Sequence, residues 1–163
     1  MTAFEPLTDP RNGVVSPGGR IVGCPQVVVD GFLVADHLRE VLLDPESERY
    51  HIIPDTLRQE FIFRIFQFLC LGGQWCQYED DIQPYLDTTK MLYKDLVRVR
   101  KDAATDEVCV TSVVLRVAAK DSRGLAFYPR NPGHVQNFAY LVVDPVRRRV
   151  TAFHHQFEGP FHS

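Results

Sequence analysis

The sequence predicts an α+β fold, with N-terminal helices, including an αα-hairpin, packed on a C-terminal antiparallel sheet. Three observations lead there. The stretch from Asp55 to Leu96 is the densest aromatic and aliphatic segment, carries apolar residues at helical spacing and is broken once, at Gly72-Gly73. From Val97 onward the apolar period changes from helical to alternating, with hairpin-length loops between the runs. The chain has 163 residues, 45% of them hydrophobic, and a formal net charge of -3. A chain of that size in one domain buries about 70% of its unfolded surface.

Taken in order, residues 1–23 are rich in Pro, Gly and polar side chains and read as a flexible leader, with a short strand near Ile21. A single α+β domain is expected over residues 24–157, followed by a loose tail at 158–163. Gln26 to Val29 is a β-branched run. Asp36 suits the N-cap of a helix whose apolar side is Leu38, Val41 and Leu42, and Asp44-Pro45 ends it. Tyr50, Ile52 and Ile53 lead into the central helix. That helix is expected to start at an Asp55 cap and to run without interruption to the glycine pair. Leu57, Phe61, Ile65, Phe68 and Leu69 form its stripe, and Glu60, Arg64 and Gln67 its narrow polar line. A helix this apolar is buried on most sides or covered by a partner. Glycine at positions 72 and 73 suits a left-handed helix terminus.

A second helix is expected to start near Pro84, with Glu79, Asp80 and Asp81 at the positive end of its dipole. Its apolar side is read as Leu86, Met91, Leu92, Tyr93 and Leu96. Beyond it, Val97 and Val99 alternate with Arg98 and Arg100, and residues 102–107 form a loop of hairpin length. Cys109, Thr111, Val113, Leu115 and Val117 are placed on one face of a single following strand. Residues 138–143 are apolar on both faces, as a central strand is, and Asp144-Pro145 turns the chain into a returning strand.

Composition excludes several functions. No apolar run approaches the roughly 20 residues of a membrane helix. The first residues are neither basic nor apolar enough for a signal peptide. Four irregularly spaced cysteines then read as reduced thiols, not as a disulfide framework. The slight acidity argues against bulk nucleic-acid binding, and Arg147 to Arg149 is too short a basic run to reverse that. No GxGxxG or GxxxxGK[ST] phosphate loop occurs, and no cofactor is expected.

The catalytic alternative is a hydrolase or acyl-transferase using Cys76, with His134, His154 or His155 as base and Asn137 or Asp144 to orient it. Against it, the acidic run from Glu79 to Asp81 raises a nearby thiol pKa, and Trp75 precedes the cysteine where thiol enzymes place it after. Cys70 and Cys76 are not spaced as a zinc knuckle, no CxxC occurs, and adjacent His154 and His155 point to opposite faces of a strand. No metal site is therefore expected. Trp75, Tyr78 and Tyr85 have two readings: core residues beside a loop break, or the aromatic anchors of a protein-binding surface.

Residues 69–102 carry a resemblance. Leu69-Cys70-Leu71-Gly72-Gly73, then Cys76-Gln77-Tyr78-Glu79-Asp80, Pro84-Tyr85-Leu86 with Thr88, Thr89 and Lys90, and Tyr93-Lys94-Asp95-Leu96-Val97 resemble the centre of the cilia- and flagella-associated protein 300 family. Gln136 to Tyr140, Val143 to Pro145, His37 to Leu43 and Gly19 to Cys24 extend the likeness over about Gly19 to Phe153. The resemblance implies a non-catalytic protein of motile cilia or flagella that helps assemble axonemal dynein arms in the cytoplasm and accompanies them by intraflagellar transport. Its implied partners are other dynein arm assembly factors and axonemal dynein chains, with no nucleic acid and no membrane. It brings no catalytic residues. It also implies a longer N-terminus in other members, so that this chain is expected to be a short or N-terminally truncated form.

Overall fold

The computed structural model describes residues 2–72 and 79–157. It is α+β, and the chain divides into two compact units, Met1–Met91 and Leu92–Ser163. The division falls inside a helix and inside the segment expected to form one domain.

In the first unit, a 3-10 turn at Thr2–Phe4, helix α1 (Glu5–Thr8) and a second 3-10 turn at Pro10–Asn12 come before the first hairpin. The flexible leader is a correction. Phe4 is 1% exposed and Val14 0%, with Leu7 and Val15 also buried. The Phe4 ring sits 4.7 Å from that of Phe66. Four apolar side chains at the right spacing outweigh a breaker-rich composition, because burying each large one contributes about 1.5–3 kcal/mol. The expected strand near Ile21 is two isolated bridges, Val15 to Ile21 and Arg20 to Asp81.

Strands β1 (Gly23–Val29) and β2 (Phe32–Asp36) pair antiparallel across Asp30 and Gly31, both at positive φ. That is the two-residue turn that suits the right-handed twist of a hairpin. Helix α2 (His37–Leu43) follows at once. As expected, the Asp36 side chain accepts the Arg39 backbone N–H at 2.9 Å, and Leu38, Val41 and Leu42 are buried.

The central helix is two pieces, α3 (Asp55–Arg58) and α4 (Phe61–Leu71). Glu60 between them is extended, at φ -70 and ψ 142. The cause is tertiary. The Arg58 guanidinium stacks 3.7 Å from the Tyr50 ring and donates to the Tyr50 and Val41 carbonyls at 2.7 and 2.8 Å. This fixes α3 to the chain before it. Pro54, not Asp55, is the N-cap residue of α3. Gln67 leaves the expected polar line: it is buried, accepts from Arg64 at 2.8 Å and donates to the Leu42 carbonyl at 3.3 Å. Helix α4 ends at Gly72, whose φ of 55 a side chain would oppose.

Helix α5 (Gln83–Leu96) has Pro84 in its first turn, as expected. Its buried positions are Tyr85, Leu86 and Thr89, continuing a stripe from Ile82, whereas Met91 is exposed.

The second unit is a set of small antiparallel sheets. Hairpin β3 (Val99–Lys101) with β4 (Val108–Val110) stands apart from the three-stranded sheet of order β5-β8-β9, made of β5 (Val113–Arg116), β8 (Phe138–Asp144) and β9 (Arg149–His155). The single strand expected from Cys109 to Val117 is therefore two strands in two sheets. They part at Thr111 and Ser112: the Thr111 N–H donates to the Arg98 carbonyl, and Ser112 Oγ accepts the Arg98 N–H at 2.9 Å. The Ser112 hydroxyl stands in for a ladder acceptor while the Thr111 backbone keeps the last ladder bond, so the Arg98 N–H and C=O are both satisfied where the strand changes partner. A small hairpin, β6 (Ala119–Lys120) with β7 (Ala126–Tyr128), turns on Asp121 to Gly124. Strand β8 is central, as its two apolar faces predict. The expected tail at 158–163 lies outside the described residues.

Candidate functional site

The elbow expected to carry function joins α4 to α5. Trp75, Cys76 and Tyr78 lie outside the described residues. Both flanks are described. On the α5 side, the Tyr85 hydroxyl accepts the Glu79 backbone N–H at 2.9 Å and an N–H of Arg39 at 2.8 Å. Arg39 in turn holds Asp36 at 2.5 Å. The chain Asp36–Arg39–Tyr85–Glu79 thus ties the start of α2 to the end of the elbow. Tyr85 is 6% exposed. Of its two readings, burial favours the core, where its hydroxyl holds the Glu79 backbone. Burial pushes the Tyr85 hydroxyl above its ordinary pKa, which keeps it a neutral acceptor and donor.

The acidic run is backbone-anchored. Ile21 donates to the Asp80 carbonyl at 2.8 Å, and Ile82 donates to the Gly19 carbonyl at 3.1 Å. The Arg20–Asp80 ion pair beside them is exposed at 3.4 Å. A pair in that setting adds less than about 1 kcal/mol.

Two of the three histidines named for the catalytic alternative are held in other contacts. His134 stacks on Phe157 at 4.7 Å, and His155 Nδ1 lies 2.7 Å from the Gln136 carbonyl. His154 is exposed. Asn137 donates to the Arg130 and Asn131 carbonyls at 2.8 and 3.0 Å and accepts the Phe157 N–H at 2.6 Å. Asp144 accepts the Val146 and Arg147 N–H groups, each at 3.1 Å. Both proposed orienting residues brace loops. Cys70 is fully buried, and burial raises its thiol pKa well above the ordinary value, so it is a poor nucleophile. Nothing among the described residues supports the alternative.

A cluster that sequence spacing did not reveal lies at the start of α2. A ligand atom from each of Cys24, His37 and Glu40 lies within 4.8 Å of the other two. Cys24 comes from β1, His37 opens α2 and Glu40 is one turn further on. His37 Nδ1 contacts Glu40 Oε2. Glu40 Oε1 accepts the Ser47 hydroxyl at 2.8 Å, and Arg49 lies 3.8 Å from Oε2. Partial burial pushes the Glu40 carboxyl up, but the bonds from His37 and Ser47 outweigh it and hold the group below its ordinary pKa. Burial, then the Glu40 and Asp36 carboxylates, raise the Cys24 thiol. The His-x-x-Glu spacing on one helix face was visible in sequence. The third member arrives only through the Gly23–Asp36 register of the hairpin.

A cavity of about 170 Å³ lies between Phe4, Glu5 and Thr8 on one side and Leu86 and Asp87 on the other. It is smaller than the roughly 300–1,000 Å³ of small-molecule sites. Among the described residues, no helix is long and apolar enough to cross a membrane.

Comparison with known proteins places the chain. The sequence model described as cilia- and flagella-associated protein 300 matches residues 1–155, further at both ends than the expected likeness. The protein of that name in Chlamydomonas reinhardtii is 40% identical over 159 residues, covering 96% of this chain and 61% of its own length. That of Paramecium tetraurelia is 37% identical over 157 residues, covering 96% of this chain and 59% of its own. The chain therefore spans about three fifths of the length of these relatives. No solved structure matches significantly.

Proposed function

We propose that this chain, which belongs to the cilia- and flagella-associated protein 300 family, acts as a non-catalytic assembly factor for axonemal dynein arms. The observation that carries the reading is the family match along nearly the whole chain; the family's name carries an association with cilia and flagella. The finer reading is ours: work in the cytoplasm, contact with other dynein arm assembly factors and with axonemal dynein chains, and travel with them by intraflagellar transport. The non-catalytic part of the reading is supported by the engagement of His134, His155, Asn137 and Asp144 in structural bonds. The surface we assign to partners is the elbow, through Trp75 and Tyr78, with Tyr85 setting its position from the core.

The test is affinity purification of the tagged chain from the soluble fraction of cells building motile cilia, read by mass spectrometry. Enrichment of dynein arm chains and assembly factors is expected, with recovery reduced by Trp75→Ala or Tyr78→Ala in a protein that stays folded. A folded protein that recovers none of them overturns the assembly reading. Undiminished recovery with both variants removes the elbow as the surface. Extraction by high salt from axonemes, with none in the soluble fraction, would instead mark a structural subunit of the axoneme.

A further inference from the structure

We propose that Cys24, His37 and Glu40 form a binding site for a single zinc ion. The three residues supply one sulfur, one imidazole nitrogen and one carboxylate oxygen, mutually within 4.8 Å. A tetrahedral ion with bonds of about 2.0–2.3 Å holds such atoms roughly 3.3–3.8 Å apart, so closing the set asks for shifts of about 1 Å or less. The frame permits this. All three residues are half-buried, and two share a face of α2, whose start is locked by Asp36. The third sits in the irregular part of β1, where the ladder register shifts between Gly23 and Val27. Such irregularities re-aim side chains.

The donor set selects the ion. Thiolate and imidazole favour zinc and its neighbours over calcium or magnesium, which take oxygen ligands. Binding displaces the Cys24 thiol proton to solvent, and the Glu40 carboxylate is already ionised. The neutral imidazole adds no charge, so a divalent ion with one thiolate and one carboxylate is locally neutral, as a half-buried site requires. Ser47 donates to the other oxygen of Glu40 and orients it, as outer partners of metal ligands do. The direct His37–Glu40 contact and the Arg49–Glu40 pair at 3.8 Å yield to the ion; Arg49 is 36% exposed, so the cost of losing that pair is small. Three protein ligands leave a fourth position open to water or to a side chain from another protein. The ion would pin β1 to α2, beside the Asp36–Arg39–Tyr85 chain that positions the elbow.

The experiment uses the whole reduced chain, stripped with a chelator. Cobalt is titrated as the spectroscopic probe and then competed with zinc. One equivalent is expected to give a thiolate-to-metal absorption band in the parent protein and in Cys109→Ser, whose thiol is exposed on β4. The band is expected to vanish in Cys24→Ser, and affinity to fall by at least about tenfold in His37→Gln. No band in the parent protein, or a band retained in Cys24→Ser, overturns the site. Should Cys24→Ser fail to fold, the parent protein decides. Zinc must protect Cys24 from alkylation, located by peptide mass; alkylation at an unchanged rate overturns the proposal. These readouts do not depend on dynein arms, so this site and the assembly reading fail separately.

Discussion

The two units place their apolar residues in opposite ways. Residues 2–91 bury Phe4, Leu38, Val41, Phe63, Ile65, Phe66 and Leu71 around α2 and α4, and their buried charge, Arg39, bonds Asp36 through one guanidinium nitrogen and Tyr85 through another. In residues 92–157, the apolar residues buried among those described are Val97, Phe138, Ala139 and Val142, while Val99, Val108, Val113, Leu115, Phe127 and Val150 are exposed. Helices wrapped by a leader close a core around themselves. Short strands in separate small sheets have two faces each, and among the described residues Val99, Val108, Val113 and Val150 stay exposed on them. The first unit is thus held by packing. The second is held more by side-chain braces: Asn137 across its loops, Asp144 at its turn, and Ser112 and Thr111 at the strand break.

Substitutions sharpen that contrast. The largest effect is expected from Phe66→Ala, at 0% exposure, which should cost about 3–5 kcal/mol in denaturant unfolding, as large core truncations do. Phe127→Ala, at 58% exposure, should cost within about 0.5 kcal/mol. Equal costs would erase the contrast. Next comes Arg39→Ala, which leaves the Asp36 carboxylate and the Tyr85 hydroxyl without their guanidinium; about 3 kcal/mol is expected for breaking a buried pair. The exposed Lys101–Asp106 pair, broken by Lys101→Ala, should change stability by less than about 1 kcal/mol. An Arg39→Ala protein as stable as the parent would mean that the chain leading to the elbow is ornamental.

Thiol labelling compares the units without mutation. Cys109 on β4 should react with a small alkylating reagent at the rate of an open thiol, whereas Cys70 in α4 should wait for unfolding of its unit. Early labelling of Cys70 would show that the helical core opens locally.

The smallest effect concerns a turn. Asp121 is held below its ordinary pKa first by the Leu125 N–H and then by Arg123. A folded-state value below the unfolded one means that the contribution is present above the unfolded pKa and is lost as pH falls through the folded one. The Leu125 amide resonance should therefore shift with a midpoint below that of a free aspartate. A midpoint at the free value would remove the bond from solution.

Local signals in the sequence were sufficient for several elements. The Asp36 cap with Leu38, Val41 and Leu42 specified α2, Pro84 marked the first turn of α5, Gly72 ended α4, and two apolar faces identified β8 as central. Each is a short-range statement: a side chain bonding a neighbouring N–H, a ring fixing φ, a missing Cβ, or a period of two. Asp30-Gly31 was an equally local hairpin signal that the β-branched run beside it overshadowed. The family likeness too was written in linear order, from Leu69 to Val97.

What the sequence left open, the tertiary structure decided, because the partners lie far apart along the chain. Phe4 meets Phe66, so the leader joins the core. Arg58 reaches Tyr50 and Val41, so the central helix divides. Ser112 and Thr111 bond Arg98, so one expected strand becomes two. Arg39 and Glu79 claim the Tyr85 hydroxyl, so a candidate surface aromatic becomes a buried anchor. Cys24 arrives beside His37 and Glu40 through hairpin register alone. Periodicity shows which face of an element is apolar; only the packed chain shows which distant residue meets it.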